Sequence, residues 1–224
     1  MRHRSDYIQA GFRIFSEKSF GSASISFILS TLGVSKGCFY HHFKSKGDFF
    51  QAVFIEARNY FYGRCFDELG GINNPVEKLK RLIINFHDTF RIKDDAHPQA
   101  WLLLRVIIDR KDSTLDLSGE AFSFIWLLKS FIHNCLDEAE GEGRLTGDID
   151  YCQSAEIITT SLVGFIVLSS GGNSRVTIEQ SLRSVLRYVD SLKRNAAEVK
   201  PVASFRRFHY VEGSCKCSER TRYF

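Results

Sequence analysis

The sequence predicts an all-α fold, and three observations carry that expectation. Apolar residues recur at three- and four-residue spacing along nearly the whole chain to about residue 195, the period of a one-faced helix. Only three prolines interrupt 224 residues, and the alternating runs that build sandwiches or barrels are few. Ser or Asn stands ahead of several of the apolar stripes, as helix starts require. The length fits one or two domains. A hydrophobic share of 44%, with 20 Phe, 8 Tyr and 2 Trp, supplies a sizeable core and excludes an intrinsically disordered chain. The densest apolar stretch, Leu162–Leu168, is far too short to cross a bilayer. Met1–Asp6 leads straight into the first amphipathic pattern without a signal-peptide hydrophobic region. The six cysteines, at 38, 65, 135, 152, 215 and 217, lack the spacing of a disulfide scaffold, so a reducing, cytoplasmic location is expected.

Ile8, Gly11, Phe12 and Phe15 form one face of a first helix that ends near Lys18. Ile25, Ile28, Leu29 and Leu32 repeat that spacing in a short second helix, with Ser24 as its N-cap. Gly33 interrupts, and Ser35 caps a third short helix that buries Phe39 and Phe43. Ser45, with Asp48 three residues on, opens a fourth helix running to about Leu69, before Gly70-Gly71. Asn74-Pro75-Val76-Glu77 opens a fifth with a cap, a first-turn proline and an acid. Further helices are expected over Pro98–Arg110, Ser118–Glu140, Asp150–Ser170 and Thr177–Arg194. Ile178, Leu182, Val185 and Val189 of the last make a heptad-like seam. In the helix before it, Ile158, Leu162 and Phe165 mark one stripe, and Ile157, Ser161, Gly164 and Leu168 a second. Two stripes mean two covered sides, one by the chain's own core and one by a partner subunit. No solenoid repeat is visible.

Charge is unevenly placed. Residues 1–47 carry seven Lys and Arg against two acids, a net +5. Residues 195–224 net +3, leaving −4 for the segment between, within an overall +4. A basic head on a mildly acidic body suits a head that meets a polyanion.

Residues 22–46 make that partner specific. Two short helices pivot on Leu32-Gly33-Val34-Ser35, Gly33 supplying the tight left-handed turn between them. Phe39 and Phe43 hold the second helix from behind, leaving Lys36, Gly37, Cys38, Tyr40, His41 and His42 for its other faces. A helix so built can enter a major groove about 12 Å wide. Phe12-x-x-Phe15-x-x-Lys18, Leu32-Gly33-Val34-Ser35-Lys36-Gly37 and Phe39-Tyr40-His41-His42-Phe43-Lys44-Ser45-Lys46, within Tyr7–Phe54, resemble the DNA-binding domain of the tetracycline-repressor (TetR/AcrR) family. The resemblance covers about a fifth of the chain. It implies an all-α homodimer with three DNA-reading helices and a larger C-terminal helical domain for effector binding and dimerisation. The domains expected are 1–47, 48–195 and a flexible basic tail over 196–224.

The resemblance also implies the contacts. Ser24 and Ser26 would meet phosphate or bases, Lys36, Gly37 and Cys38 would read base edges, and Tyr40, His41 and Lys46 would grip the backbone. Cys38 departs from the family's usual Thr, exchanging a strong hydroxyl donor for a weak thiol. Phe27 stands where a polar or acidic residue is common, which weakens the cap of the second helix. The effector cavity is expected among His87, Phe90, Trp101, Arg105, Phe122, Trp126 and His133, polar groups interspersed with large aromatics. The dimer face is expected at Ile157, Ser161, Gly164, Leu168, Ile178, Leu182, Val185 and Val189.

No catalytic motif, cofactor motif or metal set is found. His41 and His42 point about 100° apart on one helix and have no second ligand cluster at finger spacing. Cys215-x-Cys217 is likewise incomplete. Nucleophile-elbow, P-loop, dinucleotide and HExxH patterns are missing. The expected partners are an operator duplex, a small-molecule effector and a second copy of the chain, with no membrane. Two other readings stay open: a DNA-binding regulator governed by a protein partner or redox state, and a helical ligand-binding dimer without operator affinity.

Overall fold

Serine caps start three successive helices, because a Ser side-chain oxygen can accept one of the backbone N–H groups that a first turn leaves unpaired. In a computed structural model of the chain, α1 (Arg4–Glu17) is followed by α2 (Ile25–Leu32), where Ser24 Oγ accepts from the Phe27 amide at 3.2 Å. The α3 helix (Lys36–His42) begins the same way, Ser35 Oγ accepting from the Cys38 amide at 3.2 Å. In α4 (Lys46–Phe66), Ser45 Oγ accepts from the Asp48 amide and the Asp48 carboxylate accepts from the Lys44 amide. Gly33 closes α2 at φ +65°, the left-handed conformation that its lack of a Cβ permits. The Ser24 cap forms with Phe27 in place, and Phe27 takes another role: its ring carries the Lys18 ammonium at 3.7 Å.

The structure describes residues 3–91, 102, 106, 118–146, 149–170 and 175–193, and no side-chain surroundings at 90, 91, 118–122, 166, 168–170 or 175–178. Beyond α4, a 3₁₀ turn over Leu69–Gly71 leads to α5 (Pro75–Arg91), capped by Asn74, whose Oδ1 accepts from the Val76 and Glu77 amides. Then come α6 (Ser118–Gly141), α7 (Tyr151–Ser170) and α8 (Arg175–Ser191). Among the described residues there is no strand, only an isolated antiparallel bridge between Leu145 and Lys193. The helix expected over Pro98–Arg110 lies outside the described residues, except Leu102, which is helical and buried, and Val106, which is helical and half-buried. The tail expected over 196–224 also lies outside them.

Helix α4 ends at Phe66, three residues short of the expected Leu69, because Asp67 turns out of the helix at ψ 140° and Glu68 follows at a positive φ of 60°, before Gly70-Gly71. The expected domain boundary at 47 falls in the first turn of this continuous helix. Head and body therefore share a helix instead of a linker. On the head side α4 packs against α1; on the body side it packs against α5, which also meets α6, α7 and α8. One apolar core runs through both parts, from Phe15, Phe39, Phe43 and Phe49 to Phe61, Phe86 and Leu128. Charge joins the far ends of the body. Lys80 pairs with Asp190 at 2.5 Å, and Lys193 bridges Asp190 and Glu77, each at 3.1 Å, tying the start of α5 to the end of α8.

Candidate nucleic-acid interface

Side chains of α3 divide into two sets. Phe39 and, just past the helix end, Phe43 are fully buried against Phe49 of α4, with ring centroids 5.4 and 4.8 Å away. Lys36, Gly37, Cys38, Tyr40 and His41 are exposed. A side chain added at Gly37 would meet nothing within 4 Å, so this position is open toward solvent and is not needed small for the fold. The Lys36 ammonium stands 6.0 Å from the Tyr40 ring centroid. Ser24 and Ser26 are exposed on the first turn of α2, their hydroxyls 3.1 Å apart. These exposed groups include a cation, a phenol, an imidazole and two hydroxyls, donors that phosphate oxygens and base edges accept from.

Two residues differ from their expected setting. The Lys46 side chain is half-buried, and its Nζ donates to the backbone carbonyls of Phe20 at 2.8 Å and Ala23 at 3.1 Å. It is tied into the protein, where the sequence placed it on the duplex backbone. Cys38 lies on the exposed face, yet its Sγ sits 3.2 Å from the Tyr7 hydroxyl. Tyr7, which the sequence reading placed at the edge of the motif without a role, also packs its ring 5.0 Å from His42. The missed signal was its position one turn before Gly11 on the buried face of α1. Arg4, likewise unassigned, lies 5.0 Å over the Phe43 ring.

The expected effector residues separate. His87 is only 2% exposed, its ring 5.0 Å from Phe165 and its Nδ1 3.2 Å from an Asp88 carboxylate oxygen, while its buried Nε2 has no hydrogen-bond partner among the described residues. His133 is half-buried, with Nε2 3.6 Å from Cys152 Sγ. Trp126 is 66% exposed and so does not line an interior cavity. Helical spacing fixed its position on α6 but not which side of α6 meets the core. It borders instead a surface cleft of about 330 Å³ between α6 and α7, with Lys129, Glu156 and Thr160. Phe90, Trp101, Arg105 and Phe122 lie outside the residues whose side chains are described.

The expected dimer face is also sorted by burial. Val189 is 1% exposed, inside the chain's own core, and Leu182 and Val185 pack against that core. Val189 therefore serves α8's docking onto its own subunit, while Leu182 and Val185 stay half-buried. On α7, Ile157 is 40% exposed, Ser161 and Gly164 are half-buried, and Val167 is 48% exposed. Leu168 and Ile178 have no described side-chain surroundings. Among the described residues, no group of three His, Cys, Asp or Glu side chains could hold a metal ion. No described helix is long and apolar enough to cross a membrane.

Comparison with known proteins agrees with this geometry. Residues 8–53 match the family described as bacterial regulatory proteins, tetR family. The HTH-type transcriptional regulator UidR of Escherichia coli K12 is 30% identical over 163 residues, covering 73% of this chain and 79% of that protein. Two further curated relatives, also named as transcriptional regulators, align over only 31% and 36% of their own lengths. A TetR transcriptional regulator from Chloroflexus aurantiacus has the same fold, with a TM-score of 0.74 at 19% identity over 86% of this chain and 96% of that one. AibR, solved with isovaleryl coenzyme A and operator DNA, gives a TM-score of 0.65 at 16% identity over 84% and 98%.

Proposed function

This chain belongs to the tetR family of bacterial DNA-binding transcriptional regulators, and from that premise we propose that it is a homodimeric repressor released by a small-molecule effector. The observation that carries the DNA-binding part is the division of α3, with Phe39 and Phe43 wholly inside and Lys36, Gly37, Tyr40 and His41 outside. Two such helices would enter successive major grooves about 34–36 Å apart on a pseudo-palindromic operator. Lys36 reads a base edge, and Ser24, Ser26, Tyr40 and His41 hold phosphates.

The pairing of subunits is assigned to α7. Ile157, Ser161, Gly164 and Val167 follow each other at steps of three and four, so they share a face. That face joins exposed apolar groups to small residues, which lets two helices approach closely. Changing Ile157 and Val167 together to Asp should yield a folded monomer in analytical ultracentrifugation, since both positions are exposed in the single subunit. A dimer that persists moves the interface elsewhere.

His87 marks the effector site. A buried ring nitrogen is costly to leave unpaired; Nε2 has no partner among the described residues, and a ligand group meeting it between α5 and α7 would supply one. The effector would favour a conformer whose two heads are wrongly spaced, drawing the population off DNA. A coupling of about 1–3 kcal/mol suffices. The solved neighbour AibR, in complex with isovaleryl coenzyme A and operator DNA, illustrates a two-ligand arrangement in another protein.

Selection from a random duplex pool tests the whole reading. The wild-type chain should enrich a two-fold related sequence, and Lys36→Ala should relax preference at one base step in each half, costing about 1–3 kcal/mol there. No association of a correctly folded chain with any duplex at low salt would refute the proposal.

A further inference from the structure

Lys46 opens α4, and its side chain turns back beneath the start of α2. The ammonium donates to the Phe20 carbonyl at 2.8 Å and to the Ala23 carbonyl at 3.1 Å, using two of its three N–H groups. It stands 4.2 Å from the Phe20 ring centroid, and that ring packs 4.9 Å from Phe50, one turn further along α4. Ala23 is wholly buried and immediately precedes Ser24, the cap of α2. One side chain therefore joins the turn before α2 to the first turn of α4. We propose that Lys46 is a positioning residue for the DNA-reading surface: it fixes Ser24 and Ser26 relative to α4, so that α2 travels with α4 when the body changes conformation.

The surrounding packing explains why such a tie is needed. Helix α4 has its own contacts with α1 and with α5, whereas α2 rests chiefly on α1. A shift of α4 driven from the body would reach α1 through its buried face, but reaches α2 directly through the Lys46 ammonium. Both carbonyls are held to one cation, so the distance between the turn before α2 and the start of α4 is fixed. Lys44, two residues earlier and exposed, is the cation of this turn that is free to meet phosphate.

This inference rests on the DNA-binding reading, and its test separates the two. Lys46→Met keeps the stem and removes the donors. On the duplex selected by the wild-type chain, its affinity should fall about tenfold, the equivalent of one charge-assisted hydrogen bond. The slope of log affinity against log salt should stay at the wild-type value, and Lys46→Arg should restore most of the binding. Lys44→Met, by contrast, should lower that slope by about one unit. In the free protein, amides of Ala23–Leu32 should exchange faster in Lys46→Met while those of Phe49–Ala57 keep their protection. A slope reduced by about one unit in Lys46→Met, with exchange over 23–32 unchanged, would make Lys46 a phosphate ligand and overturn the proposal.

Should Lys46→Met fail to fold, the wild-type chain still decides. Its lysine ammonium spectrum should show, besides the ion-paired Lys80 and Lys193, a slowly exchanging Nζ of Lys46 that adding the duplex leaves in place. An Lys46 ammonium exchanging as fast as the exposed lysines refutes the tie. A wild-type chain that binds no duplex defeats the regulatory reading, while exchange and ammonium spectra still report on the tie.

Discussion

Phe39→Ala should cost about 3–5 kcal/mol of stability, the loss typical of a buried Phe truncated to Ala. The ring is wholly buried, with Phe43 and Phe49 both 5.4 Å away and Tyr40 edge-on at 5.4 Å. Removing it leaves a cavity where α3 meets α4, with little inside the head able to collapse into it. For a chain of this size the melting temperature should fall by roughly 6–20 °C. Operator binding should fail along with stability, because the exposed face of α3 is only as well placed as the phenylalanines behind it. Differential scanning calorimetry checks the first claim. A variant that melts like wild type and loses only DNA affinity would move Phe39 from the core to the contact surface.

Gly11→Val should destabilise at the upper end of the about 1–3 kcal/mol usual for overpacking. Intrinsic propensity argues the other way, since Gly inside a helix costs roughly 0.5–1 kcal/mol relative to Ala. Packing wins here. A Cβ at Gly11 would stand 2.4 Å from Val53 Cγ2 and 2.9 Å from Phe49 Cζ, and neither neighbour is a free-ended surface chain. The matched control is Gly63, exposed in α4 with nothing within 4 Å of its added Cβ. There Gly63→Ala should gain about 0.5–1 kcal/mol by propensity alone. Urea midpoints that move in the same direction for both variants would contradict the close approach of α1 to α4.

Local rules were legible where a residue acts on its own neighbours. The caps at Ser24, Ser35 and Ser45 each reach an amide three residues ahead, so a short window of sequence contains both partners. Gly33 announced its own left-handed turn. Long-range contacts were not legible in the same way. Lys46 reads as a surface lysine after a basic turn, because the carbonyls it holds lie 23 and 26 residues upstream. Val189 fits a seam by spacing, yet spacing says only that a face is covered and not by which chain. Trp126 sits in an apolar run whose period could not say which side turns inward. His87 was expected on the wall of an effector cavity; the polar-among-aromatics pattern accounts for its burial against Phe165 but does not say whether a ligand meets it.

The thiols of this chain differ in chemistry according to where the helices put them. Burial pushes the Cys65 thiol well above its ordinary range. Burial, with help from the Glu138 charge, pushes Cys135 up to about 12. Only the thiolate attacks an electrophile, so both are inert near neutral pH. Cys38 is the exposed member of these three free thiols and stands on the face of α3 turned away from the core. With Cys152, Cys215 and Cys217 replaced by Ser, a maleimide dye would thus distinguish one vantage point from two silent ones. A duplex seated over α3 would shade that point, so the labelling rate becomes a clock for occupancy that needs no tag and no altered residue in the reading head.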